Sequence, residues 1–367
     1  MKLQLNAPIN NLSIGNVSYN FARELIKKDK LQNIFPQKDN FDLSAFDELK
    51  DVDKIKLVQL TQNRLKTFDE NIPTLKVWHI NGSEESFGSK RFLYTFYEVD
   101  APTQEELNLV ANHKAVFFSS SEATEIFKKR GLDNVYHIPL GFDPDFKILE
   151  NNNSLDEDVV HFGLIGKLEK RKNTQRIIKL WLDKFGNNKK YQLTCLVNNP
   201  FFDQNIYKEI IKQTLGSKIY NNINFLPHLE TNSEVNQLLN AIDVDLSGIS
   251  NGEGFNLPSF NSTALGKWSV VTNCSAHKDW ATEKNSILLE VESEKQPCYD
   301  NMFFKQNSQF NQGSYYKVSD DVIIWGMEVA LEKVQREPLN KEGLKLQKEF
   351  TYCKSVDKLL QLIKERN

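Results

Sequence analysis

The sequence is short of the features that most directly fix a protein's setting. It has four cysteines in 367 residues. Cys195, Cys274, Cys298 and Cys353 are widely spaced and match no CxxC or Cys/His metal pattern, which predicts a reduced, cytoplasmic chain. No apolar run approaches the roughly 20 residues of a membrane helix, and the start lacks a basic segment followed by an apolar stretch. Membrane contact is therefore expected to be peripheral at most. An excess of one charge is also missing: Lys+Arg 46 against Asp+Glu 49 leaves a net charge of -3, which offers no general attraction to nucleic acid or to an anionic bilayer. Residues 1–143 carry 18 Lys+Arg and 20 Asp+Glu, so DNA as a partner is disfavoured in this half too. No His/Cys/carboxylate cluster reads as a metal site. The two D-x-D pairs, Asp51/Asp53 and Asp243/Asp245, fall in a charged helical segment and at a helix-to-strand junction, away from any diphosphate.

What is present is length and alternation. The chain exceeds the size at which one hydrophobic core keeps growing, so two domains are expected. Short β-branched and aromatic runs alternate with longer amphipathic ones, the α/β pattern of parallel sheets covered by helices. Strands are predicted at "LQLNAP", "TLKVWHI", "RFLYTFY", "KAVFFSS" and "NVYHIP", then at "VVHFGLIG", "QLTCLVNN", "INFLPH", "VDLSGI", "WSVVTN" and "SILLEV". Between the two series, residues 143–158 are rich in Asn, Asp and Pro and predict a linker. The reading is a Rossmann-like domain over 1–145, a second over 158–340, and C-terminal helices over 341–367. The last helix has no strand after it to cover, so it is expected to pack back on the first domain.

In open α/β sheets ligands bind beyond the carboxyl ends of the strands, so two such domains facing each other form a cleft lined by strand-to-helix loops. Three polar loops stand out. In "GLIGKLEKRKN" a strand ends at Gly166, and Lys167 and Lys172 flank the start of a helix, where unpaired N–H groups add positive potential suited to a diphosphate. A solvated basic turn is the alternative. In "SNGEGFNLPS" the two glycines let the backbone approach a ligand, and Glu253 stands beside the N–H groups of Gly254, Phe255, Asn256 and Leu257, which no helix bond satisfies. Its carboxylate suits sugar hydroxyls; a helix-capping Glu is the alternative. The third is "NLSIGNVSYN", near the start.

Three stretches together, "VFFSSSEATEIFKKRGLDNVYHIPLGFDPDFK", "GLIGKLEKRKN" and the run from "INFLPH" to "WSVVTN", resemble the family 4 type of GT-B fold glycosyltransferases. The motifs occur in that family's order and spacing from about residue 74 to 275. The resemblance implies two Rossmann-like domains facing across a cleft, and transfer of a sugar from a nucleotide-diphosphate sugar to a hydroxyl acceptor. It also implies retained anomeric configuration and no cofactor or metal. Lys167 and Lys172 match the family's diphosphate-stabilising Arg and Lys, and Glu253 matches the carboxylate that meets the donor sugar. Two departures are visible. Lys167 stands where the family has Arg, which removes bidentate geometry, and Asn261 stands where a second Glu usually holds the ribose.

Base recognition would fall on Pro227, His228 and Leu229. The resemblance implies that Gly15 approaches the reacting sugar, and that Asn16, His79, Asn81 and Glu98 line the acceptor side. A core histidine at the end of a strand is an equal reading of His79. Alternatives for the whole chain are a non-catalytic nucleotide- or glycan-binding module, a GT-B sugar phosphorylase or epimerase, or a transferase acting on hydroxylated bases of viral DNA. Neither the donor's sugar and base nor the acceptor is legible in the sequence.

Overall fold

Runs that bury both faces of a strand build parallel sheets, and the computed structural model contains two of them. It describes residues 1–37, 41–150, 158–300 and 302–367. The first sheet holds β1 (Leu3–Asn6), β2 (Leu31–Phe35), β3 (Thr74–Val77), β4 (Arg91–Thr95), β5 (Ala115–Phe118) and β6 (Val135–His137), in the order β2-β1-β3-β4-β5-β6. The second holds β7 (Val160–Ile165), β8 (Tyr191–Leu196), β9 (Ile223–Phe225), β10 (Val244–Gly248), β11 (Trp268–Thr272) and β12 (Ser286–Leu289), in the order β12-β11-β10-β7-β8-β9. Neighbouring strands are parallel throughout both sheets. These are two Rossmann-like sheets, and the loops at their carboxyl ends face each other.

β2 has no counterpart among the expected strands. Its segment, LQNIF, carries two amides at its start, and Asn33 is fully buried with its Nδ2 donating to Gln4 and Thr67. The helix Ser13–Lys27 follows β1, and Gly15 lies within its first turn. A Cβ on Gly15 would come 2.0 Å from Asn10 Oδ1. The glycine therefore serves close packing of its own loop.

The helix Tyr352–Arg366 crosses onto the first domain, where Val356, Leu359 and Ile363 join the core formed by Leu5, Leu75 and Phe117. Its entry is fixed at Gly141, where any Cβ would collide with Tyr352 N at 2.1 Å, and by Ser355 Oγ donating to Pro139 O at 2.7 Å. Of the expected linker, residues 151–157 lie outside the described residues. The described part is packed: Asp143 and Asp145 are buried, and Lys147 N and Leu149 N donate to Asn236 and Asn240 of the helix Asn232–Ala241.

Between β12 and the helix Asp320–Arg336 the chain leaves the second domain and forms a strap pinned by the short antiparallel pair β13 (Gln296–Pro297) and β14 (Ser314–Tyr315). Its Cys298, Phe304 and Tyr315 enter one apolar cluster with Leu93, Val99, Val110 and Phe118 of the first domain. Asp100 accepts from Lys295 at 3.0 Å and from Ser314 N at 2.7 Å, and Glu106 accepts from Asn311 N at 2.8 Å. Such a strap carries no sustained hydrophobic period, which is why it has no sequence signature.

Candidate active site

The loop after β10 meets the loops after β4, β5 and β7. Gly252 and Gly254 were expected to admit a ligand; instead they admit the first domain. A Cβ at Gly252 would lie 2.7 Å from Glu98 O, and one at Gly254 would lie 2.9 Å from Phe96 Cβ. Ser119 Oγ donates to Gly254 O at 2.6 Å, closing the same contact.

Glu253, between those glycines, is 4 % exposed. Its N–H donates to Ser275 Oγ at 2.9 Å. Both carboxylate oxygens are occupied: Oε1 accepts from Lys172 Nζ at 2.6 Å and Oε2 lies 3.1 Å from Arg171 Nη1. Burial opposes ionisation, but Arg171 and Lys172 outweigh it and hold the carboxyl well below the usual range. The carboxylate is thus one partner in an ion network that also includes Glu98 Oε1 and Glu169 Oε2, at 3.1 and 3.2 Å from Arg171 Nη2. Glu98 is partly open to solvent yet enclosed by both domains, and desolvation raises its pKa against the pull of Arg171.

Lys167 has a different setting from Lys172. Its side chain is 37 % exposed, 4.0 Å from Glu169, and its ammonium lies 5.3 and 5.6 Å from the ring centroids of Phe201 and Phe303. The N–H groups of Gly254, Phe255, Asn256 and Leu257 have no hydrogen-bond partner among the described residues. Asn256 adopts φ 71° to cap the helix Leu257–Ala264, and its amide also meets Ser247 O and His277 Nε2. Helix start and lysines therefore stand at one edge of the sheet.

His79 follows β3 and is exposed in the cleft, so the core reading does not apply. The walls of the cleft, and then the Lys167 ammonium, disfavour its protonated form. Asn81 is exposed on the same loop. Asn16 Nδ2 donates to Asn232 Oδ1 across the domains at 3.2 Å. Pro227 and His228 are exposed and Leu229 half-buried after β9, with His228 Nε2 3.0 Å from Asn11 Nδ2. Gly166 directly follows β7 with φ +154°. Asn261 is buried on the helix that starts at Leu257, and its Oδ1 is closed to solvent with no partner among the described residues.

Arg171 and His277 were not anticipated. Arg171 sits inside a basic run, where a solvated charge is the ordinary reading; only the fold shows it to be buried. His277 is fully buried, and its ring is fixed by Thr272 O on Nδ1 at 2.9 Å and Asn256 Nδ2 on Nε2 at 3.0 Å, so Nδ1 carries the proton.

Among the described residues no group of three or more His, Cys, Asp or Glu side chains could hold a metal ion. Asp51 and Asp53 begin a surface helix, while Asp245 is buried within β10. No helix among the described residues is long and apolar enough to cross a membrane.

No protein-family model matches the sequence, and no curated protein matches it significantly. Solved structures do match over the full length. The sucrose-phosphate synthase of Thermosynechococcus elongatus has a TM-score of 0.65 at 11% identity, covering 100% of this chain and 98% of its own. HepE of Anabaena, solved with UDP-glucose, has a TM-score of 0.66 at 13% identity, covering 100% of both chains. Trehalose-6-phosphate synthase (OtsA) has a TM-score of 0.66 at 10% identity, covering 100% of this chain and 99% of its own. At these identities the likeness is one of fold. The chain has the GT-B architecture: two Rossmann-like domains facing across a cleft, with C-terminal helices.

Proposed function

We propose that this chain is a glycosyltransferase of the family 4 type, moving a sugar from a nucleotide-diphosphate sugar to a hydroxyl acceptor with retained configuration and without a metal. The carrying observation is the contact of Lys172 with Glu253 beside four unpaired amides at the carboxyl edge of the second sheet. Cations and amides of this kind stabilise the negative charge that develops on a departing diphosphate, and positioning supplies the rest. In this reading Lys167 and Lys172 meet the phosphates, Glu253 meets the sugar hydroxyls, and His79, Asn81 and Glu98 face the acceptor. Asn261 and the Pro227–Leu229 loop serve the nucleoside. The UDP-glucose complex of HepE, on the same fold, supports a nucleotide-sugar donor.

One observation favours a non-catalytic binding module: both oxygens of Glu253 are already paired within the protein. Incubation with a panel of nucleotide sugars, read as released nucleotide, separates the two. Release above the rate in buffer supports transfer or donor hydrolysis; binding by calorimetry with no release on any donor and any hydroxyl acceptor supports the module.

A further inference from the structure

Arg171 is the most enclosed cation of the cleft, and within "GLIGKLEKRKN" the sequence gives it no role. Its side chain is 5 % exposed. Four acceptors surround its guanidinium: Glu253 Oε2 at 3.1 Å, Glu98 Oε1 at 3.1 Å, Glu169 Oε2 at 3.2 Å and the carbonyl of Gly252. Phe304 of the strap covers it, with the ring centroid 5.9 Å from the guanidinium carbon. Its two Nη groups are engaged, and Nε, which has no partner among the described residues, is closed to solvent, so no donor is open to a phosphate. Lys172, the next residue, is the opposite case. Its side chain is 17 % exposed and, among the described residues, its ammonium pairs with Glu253 Oε1 alone, so it is free to exchange that oxygen for a phosphate oxygen.

Resting on the transferase reading, we propose that Arg171 is a positioning residue: it keeps Glu253 ionised and in place when Lys172 turns to the donor diphosphate. Glu98 of the first domain seats the guanidinium from the other side. The charged and titratable groups facing Glu253 are Arg171, Lys172, His277, Glu98 and Glu169. With Lys172 on the phosphates, His277 neutral and two carboxylates nearby, Arg171 is the cation left to offset the burial of Glu253. Without it a buried carboxyl beside like charges takes up a proton. A protonated carboxyl becomes a hydroxyl donor with reduced acceptor capacity, the wrong inventory for a group that accepts from sugar hydroxyls. Because Glu98 comes from the loop after β4, the state of Glu253 is also coupled to the seating of the two domains.

The test is a titration that does not depend on turnover. Protein carrying carbon-13 at the glutamate carboxyl is titrated from pH 4 to 8, with Glu253→Gln to assign the resonance. In the wild type the Glu253 resonance stays at its ionised position throughout. Read in the Lys172→Ala background, which stands in for a Lys172 drawn onto the diphosphate, it titrates within that window in Arg171→Met and shifts less in Arg171→Lys. Glu98→Gln removes a like charge and leaves the guanidinium in place, so it keeps the resonance ionised; Arg171→Gln serves in place of Arg171→Met if that variant does not fold.

On the donor that the wild type turns over, Arg171→Met then shows kcat reduced about tenfold for each pH unit below the new midpoint. Activity recovers toward pH 8, with little change in KM. A Glu253 resonance that stays ionised, in the Lys172→Ala background, in both Arg171→Met and Arg171→Gln overturns the proposal. So does a kcat loss in Arg171→Met that is independent of pH. Failure of the wild type to turn over any nucleotide sugar would instead defeat the transferase reading, while the titration would still show whether Arg171 sets the charge of Glu253.

Discussion

The ammonium of Lys172 donates to Glu253 Oε1 at 2.6 Å, joining residues 81 apart in sequence. The contact ties the loop after β7 to the loop after β10, and in the proposed mechanism a donor diphosphate and a buried carboxylate compete for one cation.

Lys172→Ala leaves Glu253 paired with Arg171, so the fold is expected to survive. Turnover should fall about a hundredfold, as when a donor to developing negative charge is removed, while donor affinity by calorimetry weakens less. A change in KM with kcat intact would make Lys172 a ground-state binding residue.

Glu253→Ala takes one partner from buried Arg171 and the carboxylate from half-buried Lys172, and breaking a buried ion pair from one side costs about 3–5 kcal/mol. The chemistry is better tested with Glu253→Gln, which keeps shape and one acceptor. Glu253→Gln is expected to melt above Glu253→Ala and to lose nearly all turnover. Turnover near the wild-type rate would remove Glu253 from the site.

Gly252→Ala places a methyl group 2.7 Å from Glu98 O. The nearest atom is backbone of the other domain, so relief requires the domains to part. Lower kcat together with a larger radius in small-angle X-ray scattering is expected. An unchanged radius with normal kcat would show that the cleft tolerates a wider seat.

Burial depresses the pKa of His277 to about 4 against an ordinary 6.5. The unfolded chain therefore takes up this proton first as pH falls, so the neutral ring's contribution is fully present above about pH 6.5 and is lost progressively toward pH 4. The loss is worth roughly 3 kcal/mol at most. Urea denaturation at pH 7, 5.5 and 4.5 should show a shallower acid dependence in His277→Gln than in the wild type. Equal slopes would exclude His277 as a source.

EDTA should leave nucleotide release unchanged, because side-chain cations and amides take the role of a metal in the proposed mechanism. Complete loss restored by magnesium or manganese would refute that mechanism.

The expected architecture follows from strands such as "KAVFFSS" and "WSVVTN", whose apolar residues have no other use than a two-sided core. β2 escaped because Gln32 and Asn33 break the apolar run, and only the fold supplies Gln4 and Thr67 as partners for Asn33. In the site, Glu253 and Lys172 stood out by spacing, but their mutual contact did not, since nothing in one dimension distinguishes an ammonium in water from one on a carboxylate. Arg171 and His277 were hidden for the same reason. Gly252 and Gly254 marked a close approach, while the identity of the approaching group required the other domain.

The strap and the final helix give the protein an unusual order of assembly. Domains generally fold as units during synthesis, the N-terminal one first. Here Phe304 and Tyr315 complete one side of the first domain's core, and Leu359 and Ile363 complete the other. On the ribosome, the first 150 residues would emerge with two apolar faces that their own sequence cannot cover, and would wait through the making of the entire second domain for the segments that finish them.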